Sequence, residues 1–282
     1  MGIIYKPKGR AQEYSFLAIN HYVGCGHGCR YCYVPDTTHN KNFYTDQSVR
    51  RGVLEQLRKE APKFAGTDER VLLCFSCDPY QPLDAEKRIT RDVINILSEF
   101  DIPFQVLTKG GTWASRDFKY YGPHDAFGTT MTFLDDENSK KYEPRAALPG
   151  DRIEAIKEAK KLDIETFVSL EPVIEAKQSL EIIRLTHEFV DQFRIGKLNH
   201  KSSDIEWRKF GRQAIEICRE CGTDYFIKED LAIHLDGIPF TSIDKRKVKR
   251  DVKVEKREEE QSLFQSKDIV QALSRMPKDR SK

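Results

Sequence analysis

At 282 residues, the chain could form two small domains or one large domain, since α/β barrels routinely reach this size undivided. Hydrophobic residues make up 39% of the chain and charged residues 33%, which is enough to bury a core beneath a heavily charged surface. No apolar run approaches the roughly 18 residues that a membrane span needs, and the first residues lack the apolar core of a secretory signal. We therefore expect a cytoplasmic protein with no membrane partner.

The net charge of +2 is distributed unevenly along the chain. Residues 245–282 contain 13 Lys/Arg and 7 Asp/Glu, a balance of +6, which leaves the rest of the chain at −4. The core is therefore mildly acidic and the tail basic. Any electrostatic attraction for a nucleic acid depends on local patches and on this tail.

Short β-branched runs alternate with amphipathic stretches, a pattern typical of βαβ units and a mainly parallel sheet. The predicted strands cover residues 16–19, 71–75, 104–108, 127–133, 166–170 and 193–196, with a further strand-like run at 225–227. The predicted helices cover residues 49–61, 88–100, 152–162 and 205–219, with Asp46 and Thr90 as N-caps and a turn at 149–151.

About six such units are too few for a closed eight-fold barrel, so we predict an α/β fold with a partial, open β/α barrel. Its ligands should lie at the carboxyl ends of the strands. The predicted barrel domain covers residues 1–240, and residues 241–282 are predicted to form a charged, flexible C-terminal tail.

All seven cysteines fall into short-spaced groups, which in a cytosolic chain favours metal or redox chemistry over disulfides. The groups are Cys25-x3-Cys29-x2-Cys32, Cys74-x2-Cys77 and Cys218-x2-Cys221. The first group follows the first predicted strand and contains three glycines that let the backbone wrap closely around a cofactor. Three thiolates this close together suit an iron–sulfur cluster or zinc.

The two metals differ in what completes the site. A cluster of four irons with three protein ligands leaves one iron open for chemistry, whereas a structural zinc site is closed by a fourth ligand. His21 or His27 could supply that ligand. The spacing and the surrounding β/α pattern favour the cluster.

The Cys25, Cys29 and Cys32 triad, with Tyr31 directly before its last cysteine, resembles the cluster motif of the radical S-adenosylmethionine (SAM) superfamily. In that superfamily SAM chelates the open iron, and one electron breaks a C–S bond to release a 5′-deoxyadenosyl radical. The resemblance implies a [4Fe–4S] cluster, SAM, and a one-electron donor such as flavodoxin or ferredoxin.

A finer resemblance, to the spore photoproduct lyase-like branch, extends over about residues 15–230. It is carried by five segments: residues 20–33, 78–83 with 90–91, 107–109, 143–145 with Arg152, and 169–173. Each segment alone is a weak indication of the branch, but five segments in the same order are a specific one. The branch implies radical repair or modification of a nucleic acid.

The resemblance also implies a SAM site that follows the cluster loop and the later strands. Its candidate residues are Tyr31, Ser76, Asp78, Lys109, Thr130, Arg145 and Glu171. Ser76 and Asp78 lie where many relatives bind the SAM amino group. Lys109 and Arg145 suit the carboxylate or ribose, and Thr130 and Glu171 suit ribose hydroxyls.

Some of these assignments have plain structural alternatives. Thr130 could simply favour a strand, and Glu171 could be a solvated loop carboxylate. Arg145 could instead pair with Glu143 or Asp151 on the surface.

Three further residues are candidate hydrogen-atom carriers, because the branch passes hydrogen atoms through a tyrosine and a cysteine. Tyr33 matches the tyrosine, and Cys74 or Cys77 falls near the cysteine. Alternatively, Cys74 is a small hydrophobic residue in a strand. Cys74 and Cys77 could also join Cys218 and Cys221 in a second metal site, although buried thiols without a metal are favoured.

Three functions compete at this stage. The first is radical repair or modification of DNA or RNA, and the second is the same chemistry on a protein or metabolite. The third is a non-enzymatic nucleic-acid-binding module stabilised by zinc or an iron–sulfur cluster. Production of 5′-deoxyadenosine by the anaerobically reconstituted protein separates the third from the others.

Overall fold

A computed structural model describes residues 2–199 and 201–250. The chain divides into two compact units, Met1–Val248 and Lys249–Lys282, and the first holds every element named below. The strands are β1 (Leu17–Ile19), β2 (Tyr22–Val23), β3 (Ser48–Val49), β4 (Val71–Leu73), β5 (Phe104–Thr108), β6 (Ala126–Thr130), β7 (Glu165–Leu170), β8 (Gln192–Ile195) and β9 (Asp224–Ile227). The helices are α1 (Val34–Thr38), α2 (Val53–Glu60), α3 (Pro82–Lys87), α4 (Ile89–Glu99), α5 (Asp136–Tyr142), α6 (Pro149–Lys161), α7 (Ala176–Thr186), α8 (Trp207–Glu220) and α9 (Glu229–Ala232).

Seven strands form one parallel sheet in the order β1-β4-β5-β6-β7-β8-β9, and β2 and β3 form a separate antiparallel pair. Within this sheet the strands lie side by side in the order in which they occur along the chain. The two edge strands, β1 and β9, are not paired with each other, so the sheet is open. The predicted α/β fold with an open parallel sheet is therefore confirmed. Within the described residues, no helix is both long and apolar enough to cross a bilayer.

Successive residues of each strand point to opposite faces of the sheet. In β7, Val168 and Leu170 pack in the hydrophobic core together with α6 and α7 residues such as Ile156 and Ile183. Ser169, between them, lines a cavity on the other face. This alternation leaves the inner face and the carboxyl ends of the strands for polar and reactive side chains.

The structure corrects the predicted helix starts. Asp46 lies in the loop before β3, and α2 begins instead after Gly52, whose φ of 66° only glycine adopts easily. Thr90 lies inside α4, which begins after Arg88. The predicted turn at 149–151 is the first turn of α6, where a proline is favoured at the first position.

Other differences concern elements and strand ends. Helix α7 and the β2–β3 pair were not predicted. The strand predicted over 71–75 ends at Leu73 because Cys74 takes a φ of 61°, and the strand predicted over 127–133 ends at Thr130. Because β4 ends before Cys74, this residue is not part of the strand and lines the cavity described below.

Residues 243–248 run along the amino ends of the strands. The Ile243 N–H donates to the Tyr225 carbonyl at 2.9 Å, and the Arg70 N–H donates to the Arg246 carbonyl at 3.0 Å. This part of the predicted tail is therefore hydrogen-bonded to the barrel unit. Residues 251–282 lie outside the described part of the chain, and the domain boundary after residue 240 stays a prediction.

Candidate active site

A cavity of about 670 Å³ lies at the carboxyl ends of the parallel strands. Its wall contains every candidate site residue except Arg145: Cys25, Cys29, Tyr31, Cys32, Tyr33, Cys74, Ser76, Cys77, Asp78, Lys109, Thr130 and Glu171. The fold thus brings together residues that are widely separated in sequence. Their individual roles stay predictions.

The cluster loop is shaped by its glycines. Gly24 has a φ of 76°, and a Cβ there would lie 2.8 Å from the Phe43 carbonyl oxygen, so only glycine fits. The Cys25 N–H donates to that same carbonyl at 2.9 Å. The Cys32 N–H donates to the Cys29 carbonyl at 3.2 Å, which turns the end of the loop back on itself.

The three thiols of this loop fit an iron–sulfur cluster. Burial raises the pKa of Cys25, and it raises the pKa of Cys29 to about 11. Thiolates form in such surroundings when a metal supplies the compensating charge. Within residues 2–199 and 201–250, no three His, Cys, Asp or Glu side chains converge as ligands of one ion. A [4Fe–4S] cluster does not require this, because each thiolate binds a different iron.

The two histidines proposed as zinc ligands have other partners. Nε2 of His21 lies 2.9 Å from the Thr90 hydroxyl, and its Nδ1 lies 3.4 Å from the sulfur of Cys74. Nδ1 of His27 lies 3.0 Å from the Arg145 carbonyl, and its Nε2 lies 3.3 Å from Oδ2 of Asp78. Both rings therefore already contact other groups of the protein, although Nε2 of His27 makes no hydrogen bond.

Asp78 joins the ends of β4 and β5. Its Oδ1 accepts from the Thr108 hydroxyl at 2.5 Å and the Tyr80 N–H at 2.8 Å, and its Oδ2 accepts from the Lys109 N–H at 2.7 Å. Burial alone would raise the pKa of Asp78, but His27 and these hydrogen bonds lower it to about 2. Asp78 therefore positions both Lys109 and the cluster-loop histidine.

We predict that Asp78→Ala weakens SAM binding about tenfold while the cluster still assembles. The substitution leaves buried N–H groups without an acceptor, which costs about 1–3 kcal/mol and releases the backbone of Lys109. SAM affinity by equilibrium dialysis and cluster absorbance are the measurements. Asp136→Ala, an exposed aspartate at the start of α5, is the control. Unchanged SAM affinity would remove Asp78 from the site.

Tyr31 is anchored by a buried ion pair. Its hydroxyl donates to Oε1 of Glu143, and the Arg152 guanidinium lies 2.5 Å from Oε2 of the same carboxylate. Arg152 also donates to the carbonyls of Ala147 and Thr130, at 2.8 and 2.9 Å. Burial would raise the pKa of Glu143, but Arg152 and neighbouring groups hold it below its usual value. The pair thereby fixes the cluster-loop tyrosine against β6.

Arg145 is placed outside the cavity wall, against the back of the cluster loop. Its Nε donates to the Gly26 carbonyl, and its Nη2 donates to the Tyr44 carbonyl at 3.3 Å. The side chain closes over Gly28, where a Cβ would lie 2.9 Å from the guanidinium. These contacts support a role in shaping the loop more than the predicted contact with SAM.

Glu171, at the end of β7, forms the opposite wall. Its carboxylate accepts from the Tyr14 hydroxyl and the Lys228 ammonium, and its Oε1 accepts from the Asn199 amide at 3.0 Å. Burial lowers the pKa of Lys228, against the effect of Glu171, and the ammonium lies 3.4 Å from the Tyr14 ring centroid. Sequence reasoning missed Tyr14 and Lys228, although Lys228 directly follows β9 at the ligand-binding edge.

The remaining candidates line the cavity between these walls. The Lys109 ammonium lies 5.7 Å from the Tyr31 ring centroid, and Thr130 is the last residue of β6. The Ser76 N–H donates to the Asn20 side chain at 3.0 Å. Tyr33 is 38% exposed, and burial together with Glu171 raises its pKa to about 12.

The two other cysteine pairs lie in different surroundings. Cys74 and Cys77 both line the cavity, because the chain turns at Cys74 and β4 has already ended. Cys218 lies within the hydrophobic core, and Cys221 packs against that core. The part of the chain that the structure describes does not bring the four thiols into one metal site.

Comparison with known proteins agrees with this geometry. The family model of the radical SAM superfamily matches residues 19–190. The chain therefore belongs to the radical SAM superfamily, whose members use a [4Fe–4S] cluster and SAM.

Two proteins that align with this chain in sequence are named only as uncharacterized proteins. One from Mycobacterium tuberculosis is 31% identical over 117 residues, 39% of this chain and 34% of the relative. One from Methanocaldococcus jannaschii is 25% identical over 193 residues, 66% of this chain and 71% of the relative. The match thus spans about a third of the mycobacterial protein's length.

Solved structures share the fold at low sequence identity. A variant of spore photoproduct lyase aligns with a TM-score of 0.63 and 11% identity, covering 80% of this chain and 78% of that one. Spore photoproduct lyase complexed with dinucleoside spore photoproduct aligns with a TM-score of 0.56 and 14% identity, covering 77% and 64%. Streptococcus suis SuiB bound to S-adenosylmethionine aligns with a TM-score of 0.57 and 11% identity, covering 79% and 53%.

Proposed function

We propose that this chain is a radical SAM enzyme that repairs or modifies a nucleic acid. When bound, the cluster and SAM would supply reductive cleavage of a C–S bond in SAM. Cys25, Cys29 and Cys32 would hold the cluster, and Lys109 and its neighbours would hold SAM. We infer a nucleic-acid substrate from the charged side chains of the cavity: its carboxylates are engaged by protein groups, whereas some of its lysines have no carboxylate partner.

The carboxylates of the cavity wall are already engaged by the protein. Asp78 and Glu171 accept the hydrogen bonds given above. Glu13 accepts from the Glu229 N–H at 2.6 Å, and Asp230 pairs with Arg10. A cationic substrate would have to displace these contacts to reach a carboxylate.

Three lysines of the cavity wall, Lys8, Lys109 and Lys197, lack such a partner, and Lys8 and Lys197 remain for the substrate once Lys109 is assigned to SAM. Among the described residues, no carboxylate lies within 4.0 Å of any of their ammonium groups. Lys197 lies 3.2 Å from Nε2 of His234 and 5.7 Å from the Trp207 ring centroid. A lysine without a carboxylate partner suits a phosphate, because the phosphate supplies the missing negative charge. Similarity to a protein that binds a dinucleoside adds support.

The proposed function also includes a partner protein and a cellular location. A one-electron donor of the flavodoxin or ferredoxin class and a cytoplasmic location are part of it. The +6 balance of residues 245–282 would add electrostatic, salt-dependent affinity for a polyanion.

We expect Lys197→Gln to weaken oligonucleotide binding about fivefold, because one phosphate contact is lost. The slope of log affinity against log salt concentration should become shallower by about one. The assay is production of 5′-deoxyadenosine by the reconstituted full chain, titrated with single-stranded DNA, duplex DNA, RNA or a peptide. Lys59→Gln, a 72% exposed side chain near the end of α2, is the control. Stimulation by the peptide alone, or equal behaviour of the two variants, would contradict a nucleic-acid substrate.

A further inference from the structure

Cys74 and Cys77 form a pair of neighbouring thiols in the cavity wall. The left-handed φ of 61° at Cys74 reverses the chain at the end of β4 and turns its thiol toward the cavity. Cys77, three residues later, lines the same cavity, and its sulfur lies 3.6 Å from the Tyr22 carbonyl. The turn thus places both thiols, three residues apart, in the wall of one cavity.

A hydrogen-bond relay behind Cys74 fixes the orientation of His21. The Thr90 hydroxyl donates to the Pro79 carbonyl, so its oxygen is left to accept from Nε2–H of His21 at 2.9 Å. In neutral His21 the unprotonated nitrogen is then Nδ1, and the sulfur of Cys74 lies beside the ring, 3.4 Å from Nδ1 and 3.5 Å from Nε2. His21 and Thr90 are both fully buried, so the relay is fixed within the protein.

The two thiols are therefore unequal. Burial would raise the pKa of Cys74, but the Cys77 thiol, as a hydrogen-bond donor, and His21 lower it to about 6. The same contact raises the pKa of Cys77. A thiolate paired with a protonated thiol three residues away is the arrangement of reactive C-x2-C motifs.

We propose that Cys74 and Cys77 are a redox-active dithiol in the substrate cavity, with His21 as a positioning residue for Cys74. The Cys74 thiolate attacks one sulfur of a disulfide reagent and expels the other sulfur as a thiolate. Cys77 then loses its proton, attacks the Cys74 sulfur of the mixed disulfide, and releases the second thiol. Two electrons pass from the cysteine pair to the reagent. The inference is independent of the nucleic-acid substrate.

The chain contains its own control pair at the same spacing. Cys218 lies on α8 and Cys221 directly follows that helix, and burial raises the pKa of Cys218 to about 12. Cys218 is enclosed by hydrophobic core residues and lies away from the cavity. Spacing alone therefore does not produce a reactive pair.

The test equilibrates the cluster-loaded full chain anaerobically with mixtures of reduced and oxidised dithiothreitol. Acid quenching, thiol alkylation and tryptic digestion follow. Cleavage after Arg70 and Lys87 leaves Cys74 and Cys77 on one peptide, whereas the cluster cysteines and the control pair fall on others. We expect the 71–87 peptide to become lighter by two hydrogen atoms and to resist alkylation as the mixture becomes oxidising. The Cys218 and Cys221 peptides should stay alkylated.

Two substitutions of His21 test its role. His21→Gln keeps a donor toward Thr90 but removes the imidazole that can take the proton of Cys74, so the thiolate of the reduced form loses stabilisation. We expect the equilibrium constant to shift about tenfold toward the disulfide, about 30 mV more negative in potential. In His21→Asn the shorter side chain places its amide beside Cys74. We therefore expect this variant to keep a potential close to that of the wild type. A redox midpoint that is unchanged in His21→Gln would show that His21 does not position Cys74. A 71–87 peptide that stays reduced, or that oxidises no more readily than the control pair, would overturn the dithiol.

Discussion

Replacing any one of Cys25, Cys29 and Cys32 by alanine is expected to abolish both the cluster and SAM cleavage. The cluster would have only three protein ligands, and losing one leaves two of its four irons without a protein thiolate. The cavity offers no substitute, because His21 and His27 are held by Thr90, Cys74, Arg145 and Asp78. Iron and sulfide content, visible absorbance, and 5′-deoxyadenosine formed under dithionite are the measurements.

The matched control is Cys221→Ala, which removes the thiol directly after α8 without touching the cavity wall. It should keep full iron content and full SAM cleavage. Formation of 5′-deoxyadenosine by the triple Cys25, Cys29 and Cys32 variant would end the radical SAM assignment for this site. Wild-type protein that binds zinc, stays colourless and leaves SAM intact would instead favour the non-enzymatic module.

The sheet could be predicted from sequence because its signal is local. Each predicted strand is a short apolar or β-branched run, and in a parallel sheet with helices on one face such runs are buried almost continuously. The cluster loop could be predicted because its three cysteines and its glycines lie within one short segment. Its position at the carboxyl end of β1 then places it among the other strand ends.

The partners of the charged residues could not be predicted in the same way. Glu171 on β7 meets Lys228, 57 residues later, because β8 and β9 complete the sheet beside it. Asp78 meets Lys109 because β4 and β5 are neighbours. The left-handed turn at Cys74 is another such case, since nothing in the run of residues 71–75 distinguishes a strand that ends two residues early.

Arg152→Ala is expected to destabilise the fold by about 3–5 kcal/mol, because it leaves the Glu143 carboxylate buried without its counter-ion. Both side chains are only 1% exposed, so water cannot replace the guanidinium. Urea unfolding is the measurement, with Arg184→Ala on α7 as the control, since that side chain is 51% exposed and its ion pair with Glu181 contributes little. Arg152→Lys should recover part of the loss, because it keeps the charge but not the fork that also bonds Ala147 and Thr130.

The loss in Arg152→Ala should also depend on pH in a stated direction. In the wild type the pKa of Glu143 is held below its usual value, so this pair stabilises the fold above the unfolded pKa and loses its effect as pH falls. Without Arg152, burial raises the pKa of Glu143, and the folded state then favours the protonated acid. The difference in stability between the variant and the wild type should therefore be larger at pH 8 than at pH 5. Because Glu143 holds the Tyr31 hydroxyl, cluster retention should follow the same trend. A deficit equal at both pH values would show that Arg152 acts through packing alone.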